Sequence, residues 1–153
     1  EEFEKKLSLI KPQKNNSNSL QKASVVVPYF FVNNSLSIVL LKRSNLVRYH
    51  KGEIAFPGGM HEKTDKNLED TALREFEEEI GISKTTVSLI ARLDDVITKT
   101  KFLVTPFVGR ITSEHIYSIN RDEVDEILEI PFFARTTIES PWFSPSLIQI
   151  AGF

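Results

Sequence analysis

The stretch Arg74-Glu75-Phe76-Glu77-Glu78-Glu79-Ile80-Gly81-Ile82 decides how this chain is read. It closes the strongest helical pattern in the sequence, residues 67–80, where Leu68, Ala72, Phe76 and Ile80 recur every four residues with Leu73 beside them. Asn67 is suited to cap the start of that helix and Gly81 to stop it. On it, Glu75, Glu78 and Glu79 stand at i, i+3 and i+4 and share one face. At about 100° per residue this face borders the apolar stripe, with Glu79 falling between Leu68 and Ala72. Like charges at this spacing destabilise a helix. A hard cation such as Mg²⁺ takes oxygen ligands and keeps part of its shell for water or phosphate, and it would remove the repulsion. Without metal, the same cluster implies strongly shifted pKa values.

By themselves, three glutamates also fit a solvated acidic face with no metal affinity. The flanking residues favour a site. Arg74 can pair with Glu78 at i+4 and fix the cluster. Just upstream, Phe56-Pro57-Gly58-Gly59 reads as a sharp turn, because paired glycines allow positive φ and close backbone approach. Exposed backbone there can supply a carbonyl ligand or approach phosphate oxygens.

Working outward, residues 23–31 and 36–42 are β-branched and aromatic runs separated by Asn33-Asn34-Ser35, a hairpin signal. Residues 44–54 form a basic loop, and 87–93 and 102–111 read as further strands. Residues 124–130 fit strand or helix, 131–135 a short helix, and 147–150 a last strand. At the other end, residues 1–10 suggest a short amphipathic helix through Phe3, Leu7 and Ile10. Residues 11–22 are polar and Asn/Ser-rich, a loop with no fold of its own. The organisation is therefore a helix and linker over 1–22, then one domain over 23–153. The mixture predicts an α/β (α+β) fold with a mixed sheet.

The segment Arg-Glu-apolar-x-Glu-Glu-x-Gly-apolar, preceded by a Gly-rich turn and a loop, resembles the Nudix box, here spanning 59–82. Members of that family hydrolyse nucleoside diphosphates linked to another moiety. The resemblance implies an α/β/α sandwich with a mixed sheet and a catalytic loop–helix–loop. It also implies that Glu75, Glu78 and Glu79 bind Mg²⁺ or Mn²⁺, that the Gly59 carbonyl joins them, and that Arg74 is structural. One feature departs from the pattern: Asp65 stands where a glutamate is usual, and eight residues instead of seven separate it from Arg74. That leaves the role of Asp65 open.

A second pattern, Leu40-Leu41-Lys42-Arg43-Ser44-x3-Arg48-x3-Gly52-x3-Phe56-Pro57-Gly58-Gly59, resembles the signature of coenzyme A diphosphatases, which also tend to carry the longer box. Leu41 replaces a threonine usual there. Val104-Thr105-Pro106-Phe107-Val108-Gly109 and Asp122-Glu123-Val124 look like the same subfamily, and the likeness fades beyond Pro131. The function implied is hydrolysis of coenzyme A or an acyl-coenzyme A to 3′,5′-ADP and (acyl-)4′-phosphopantetheine. Arg43, Arg48 and Lys51 would bind substrate with Gly58 and Gly59, since arginine offers phosphate a bidentate contact and lysine a mobile charge. Glu75, Glu79 and Glu123 are the candidate catalytic carboxylates, with Asp122 and Glu126 as neighbours that could replace Glu123. His50 and His61 read as surface or hydrogen-bonded histidines, and Trp142 and Phe143 as core residues or pocket lining. Rival readings are a Nudix enzyme for ADP-ribose or a nucleoside triphosphate, and a non-catalytic Nudix-like binding module. The latter has no need of three intact carboxylates.

Composition is compatible. The chain has 153 residues, 41% hydrophobic and 26% charged, enough for one core and too apolar for disorder. A net charge of −2 gives no electrostatic case for nucleic acid or an acidic membrane as partner, so the expected partner is a small nucleotide. The longest apolar run, 25–32, includes Pro28 and falls far short of the ~20 residues of a membrane helix. It reads as a buried strand. The absence of cysteine excludes disulfides and leans toward a reducing compartment, a soluble cytoplasmic protein. The start is charged and carries no methionine, so upstream targeting stays open, and Ala151-Gly152-Phe153 is no peroxisomal address.

Overall fold

A computed structural model describes residues 2–132. A short helix α1 (Glu2–Ser8) leads to the long strand β1 (Gln21–Val32), which turns into β2 (Ser35–Arg43). The turn forms because Asn33 (φ 48°) and Asn34 (φ 63°) both adopt the left-handed region that a tight hairpin needs. Two short strands follow, β3 (Ile54–Ala55) and β4 (Gly58–Met60), then helix α2 (Leu68–Ile80). A 3-10 turn at Lys84–Thr86 precedes β5 (Val87–Arg92), β6 (Val96–Ile97), β7 (Phe102–Ile111) and β8 (Val124–Phe132).

The sheet is mixed, as the sequence predicts. β1 and β7 run parallel, while the other pairings are antiparallel. β1 and β2 pair near their hairpin, Tyr29 opposite Ile38, and then splay. Toward the open end, Leu41 takes Ala55 of β3 on one edge and Ile127 of β8 on the other. Ala23–Val25 likewise takes β4 on one edge and β7 on the other. The β3–turn–β4 segment is thus a wedge between the two separated strands, and it carries Gly58 and Gly59 into the gap.

α2 covers one face of the sheet. Phe76 and Ile80 are fully buried with Val26, Phe30, Val39 and Leu41, each side chain contributing roughly 1.5–3 kcal/mol by burial. Asn67 caps the helix, its Oδ1 accepting from the Asp70 N–H at 2.8 Å, and Gly81 ends it at φ 72°. Neighbouring strand residues point to opposite faces, and Leu7 of α1 packs on the other side with Tyr29, Leu36 and Val108. Helices therefore lie on both faces, the expected α/β/α arrangement.

Three local readings are corrected or sharpened. Residues 124–130, open between helix and strand, are strand, because β2 offers an edge along its full length. The short helix expected over 131–135 does not begin there: Pro131 and Phe132 close β8 opposite Ser37 and Leu36. Its remainder, the strand expected at 147–150, Trp142 and Phe143 lie outside the described residues. The loop expected over 11–22 ends earlier, since Gln21 and Lys22 open β1. Residues 11–20 hold no regular element, yet the Gln13 and Asn15 N–H groups donate to Asp94 Oδ1 and Asp95 Oδ2, both at 2.8 Å. No described helix is long and apolar enough to cross a membrane.

Candidate functional site

The wedge and α2 meet at a cleft of about 370 Å³, lined by Glu75 and Glu79, by Gly58 and Gly59, by Arg43 and Arg48, and by Val47, Asp122 and Glu123. Its acidic wall follows from helix phase. Glu79 points toward the core and is 3% exposed, and its Oε2 accepts the Gly58 N–H at 2.9 Å. Burial pushes its carboxyl up to about 8. The Gly58 N–H and Arg43 oppose the shift, and the Glu75 and Glu123 charges add to it. Burial also raises Glu75, against Arg74, with Glu78 and Glu123 adding. A side chain on Gly59 would collide with the Glu75 carboxylate, which would have to leave its place over β4.

Arg74 is the organiser. Its Nη1 donates to Glu75 Oε1 at 2.8 Å and to Glu78 Oε2 at 3.2 Å, and its Nη2 to the Met60 carbonyl at 3.1 Å. Its other partner is Asp65, bound through Nε at 2.8 Å and Nη2 at 3.0 Å. Asp65 also accepts from the Thr71 hydroxyl and the Glu62 N–H, both at 2.9 Å, and is buried. The Arg74 guanidinium beside it holds its carboxyl well below the usual carboxylate range. The extra residue in the box therefore leaves Asp65 within reach of Arg74.

The basic wall hangs from β2. Arg43 ends that strand, where a register shift pairs it with Val124. Its Nε is buried and meets no hydrogen-bond partner among the described residues. Glu123 is held over the cleft by its backbone: its carbonyl accepts from the Ser44 N–H at 2.8 Å and its N–H donates to the Asn120 carbonyl at 3.1 Å. The Asn120 N–H in turn donates to the Glu79 carbonyl at 3.1 Å, tying this loop to α2.

Not every candidate converges. Glu78 is half exposed at the rim and does not line the cleft. Lys51 is exposed in a turn away from it, and Glu126 lies out along β8 opposite Lys42. His50 pairs with Glu53 at 3.0 Å, and His61 Nδ1 sits 2.8 Å from the Thr71 hydroxyl, both outside the cleft lining. Val47 and Thr71 had no sequence signal: one is a loop aliphatic, the other a helix residue whose role depends on Asp65.

Among the described residues no three carboxylates or imidazoles already converge as a cage for metal. The donor chemistry nevertheless suits a hard divalent cation. The donors are all oxygens, on a buried Glu79 and a partly buried Glu75 whose carboxyl pKa values are both raised, beside a strand stripped of side chain at Gly59.

Comparison with known proteins bears on the fold and the family. The model of the NUDIX domain matches residues 21–152. An uncharacterized Nudix hydrolase NudL of Pectobacterium atrosepticum is 38% identical over 111 residues, 72% of this chain and 57% of the relative. The NudL of Klebsiella pneumoniae is 35% identical over 131 residues, 86% of this chain and 68% of the relative. Nudix hydrolase 3 of Caenorhabditis elegans is 38% identical, across 86% of this chain and 58% of its own length. The chain thus spans about three fifths to two thirds of these relatives. Among solved structures, a C. elegans Ap4A hydrolase binary complex superposes with a TM-score of 0.61 at 19% identity, over 73% of this chain and 80% of that one. The NUDIX domain of Shewanella oneidensis NrtR complexed with ADP ribose superposes with a TM-score of 0.57 at 17% identity, over 83% and 81%. At such identities these two show a common fold. With the sequence relatives and the domain match, they lead to one conclusion: the chain belongs to the NUDIX domain family.

Proposed function

We propose that this chain hydrolyses the diphosphate bond of a nucleoside diphosphate derivative, and that coenzyme A or an acyl-coenzyme A is that substrate. One observation carries the reading. Glu75 and Glu79 share a cleft with Arg43 and Arg48, yet among the described residues no ion pair joins the two sets. Opposite charges held apart in about 370 Å³ leave room for a ligand that is itself anionic and metal-bound. The coenzyme A assignment rests on the spacing of Arg43, Arg48, Gly52 and Phe56-Pro57-Gly58-Gly59.

Glu75 and Glu79, with Glu78 at the rim and the Gly59 carbonyl, would hold Mg²⁺ or Mn²⁺. Such an ion neutralises diphosphate charge and makes a bound water more acidic. Arg43 and Arg48 bind phosphate oxygens, and the unpartnered Arg43 Nε gains an acceptor when they do. Water adds to one phosphorus, the bridging P–O bond breaks, and Glu123 takes the proton as general base. Products are 3′,5′-ADP and (acyl-)4′-phosphopantetheine. Mass analysis of products from coenzyme A, ADP-ribose and a nucleoside triphosphate, each with Mg²⁺ or Mn²⁺, tests this. Cleavage of coenzyme A alone supports the full reading. Cleavage of ADP-ribose or the triphosphate in its place keeps the diphosphatase and discards coenzyme A. No turnover of any of them discards both.

A further inference from the structure

The loop of residues 44–53, between β2 and β3, is pinned at its neck. The Arg43 N–H donates to the Glu53 carbonyl at 2.8 Å and the Gly52 N–H to the Arg43 carbonyl at 3.0 Å. Its near arm is tied down by the Ser44 hydroxyl, which accepts the Leu46 N–H at 3.1 Å. Its far arm turns a fixed corner. His50 sits at φ 56° and Gly52 at φ 70°, the His50 ring is held by Glu53, and the Glu53 N–H returns to the His50 carbonyl at 3.3 Å. A histidine at positive φ persists only where its surroundings hold it there. The loop is therefore a built element with a defined presentation.

It presents Val47 and Arg48 to the cleft, and next to them an aromatic ring. Tyr49 is 62% exposed, and the Arg48 guanidinium lies 5.1 Å from its ring centroid. That distance is within the range of cation–π attraction. Among the described residues, the cleft lining has glycines, carboxylates, arginines and Val47, and no aromatic residue. Such a lining can hold phosphates and metal, but among the described residues it offers a nucleobase no aromatic ring. We propose that Tyr49, braced by Arg48 at the mouth of the cleft, is the stacking surface for the base of the nucleotide substrate. This rests on reading the cleft as a nucleoside diphosphate site. It adds a residue that determines which compounds bind and leaves the bond-breaking groups unchanged. Arg48 then serves both halves of the ligand, touching phosphate with its edge and holding the ring that meets the base.

The test is calorimetric titration of the protein in Mg²⁺ with two non-hydrolysable probes, α,β-methylene-ADP and methylenediphosphonate. They differ by the nucleoside alone. For the unaltered protein the nucleotide should bind more tightly than the base-free probe. Tyr49→Ala should weaken the nucleotide about 5- to 150-fold, the range for loss of one base–aromatic contact, and leave methylenediphosphonate affinity unchanged. Tyr49→Phe and Tyr49→Trp should keep nucleotide affinity, since both keep a flat ring. Equal affinity of the unaltered protein for both probes, or full nucleotide affinity in Tyr49→Ala, overturns the stacking role while the diphosphate reading stands. Equal losses for both probes overturn it in favour of an effect through Arg48. Failure of the unaltered protein to bind either probe removes the diphosphate reading, and the Tyr49 role with it.

Discussion

Arg74 grips Asp65 with two nearly parallel hydrogen bonds, Nε to Oδ1 at 2.8 Å and Nη2 to Oδ2 at 3.0 Å. The Asp65 side chain is only 2% exposed, so water cannot replace this partner. Asp65→Asn should cost about 3 kcal/mol at neutral pH, because it leaves a mostly buried guanidinium short of an anion. The pH dependence has a definite sign. The folded-state pKa lies below the unfolded value of about 3.9. The stabilisation is therefore fully present above that value and fades as pH falls toward the folded one. Denaturant melts of both proteins from pH 7 to 2.5 should show their difference shrinking below about pH 4. A constant difference would refute the linkage.

Glu79 carries the opposite linkage. In the metal-free protein its pKa rises from 4.5 to about 8, mainly through burial. Such a group opposes folding increasingly as pH climbs between those values. Glu79→Gln keeps an acceptor for the Gly58 N–H and removes the charge. Without metal, this variant should gain stability relative to the unaltered protein from pH 5 to 8. It should also lack the rise in Tm that Mn²⁺ is expected to give the unaltered protein. Thermal melts with and without Mn²⁺ would show both effects, and an intact metal response in Glu79→Gln would remove it from the metal site.

Arg43 and Arg48 should act through substrate affinity. Losing one charged hydrogen bond costs about 1.5–3 kcal/mol, so each alanine variant should lose about 10- to 150-fold in kcat/KM for coenzyme A. Dephospho-coenzyme A separates their jobs. A smaller loss with that compound assigns the residue to the 3′-phosphate, and an equal loss assigns it to the diphosphate. No loss with either would leave Arg43 and Arg48 as structural residues.

For Glu123, the measurement is the pH–rate profile. A positioned general base is worth about 10²–10⁴-fold, so Glu123→Gln should fall by that factor and lose the acidic limb, with Mn²⁺ affinity unchanged. Glu75→Gln should instead weaken Mn²⁺. A fall under about tenfold in Glu123→Gln, with the profile intact, would pass the role to Asp122 or Glu75.

What could be read in advance was local. α2 announced itself through four-residue spacing, the Asn67 cap and the Gly81 stop, all within 15 residues of one another. The hairpin did so through Asn33 and Asn34. What was missed depends on distant partners or on single dihedrals. The assignment of β8 needed β2, and Gln13 is fixed by Asp94, 81 residues away. β3 and β4, with two and three residues, are too short to show a period. Lys51 groups with Arg48 by closeness in sequence, but the His50 and Gly52 corner lies between Arg48 and the neck, and Lys51 is not among the residues that line the cleft. Spacing leaves Asp65 open because its role is a side-chain geometry with Arg74 and Thr71.

The wedge between β1 and β2 has a consequence for how such a protein can change. The carboxylates ride on α2, while the arginines and Tyr49 ride on the end of β2 and the loop after it. The wedge is the bridge from one to the other, joined to β2 through Ala55 and to β1 through Gly58. Insertions or exchanges within residues 45–51 therefore leave that bridge, and everything it supports, in register. New substrate preferences can be acquired there one loop at a time, whereas a single added methyl at Gly59 reaches the Glu75 carboxylate directly. Diversification and constraint are separated by seven residues of chain.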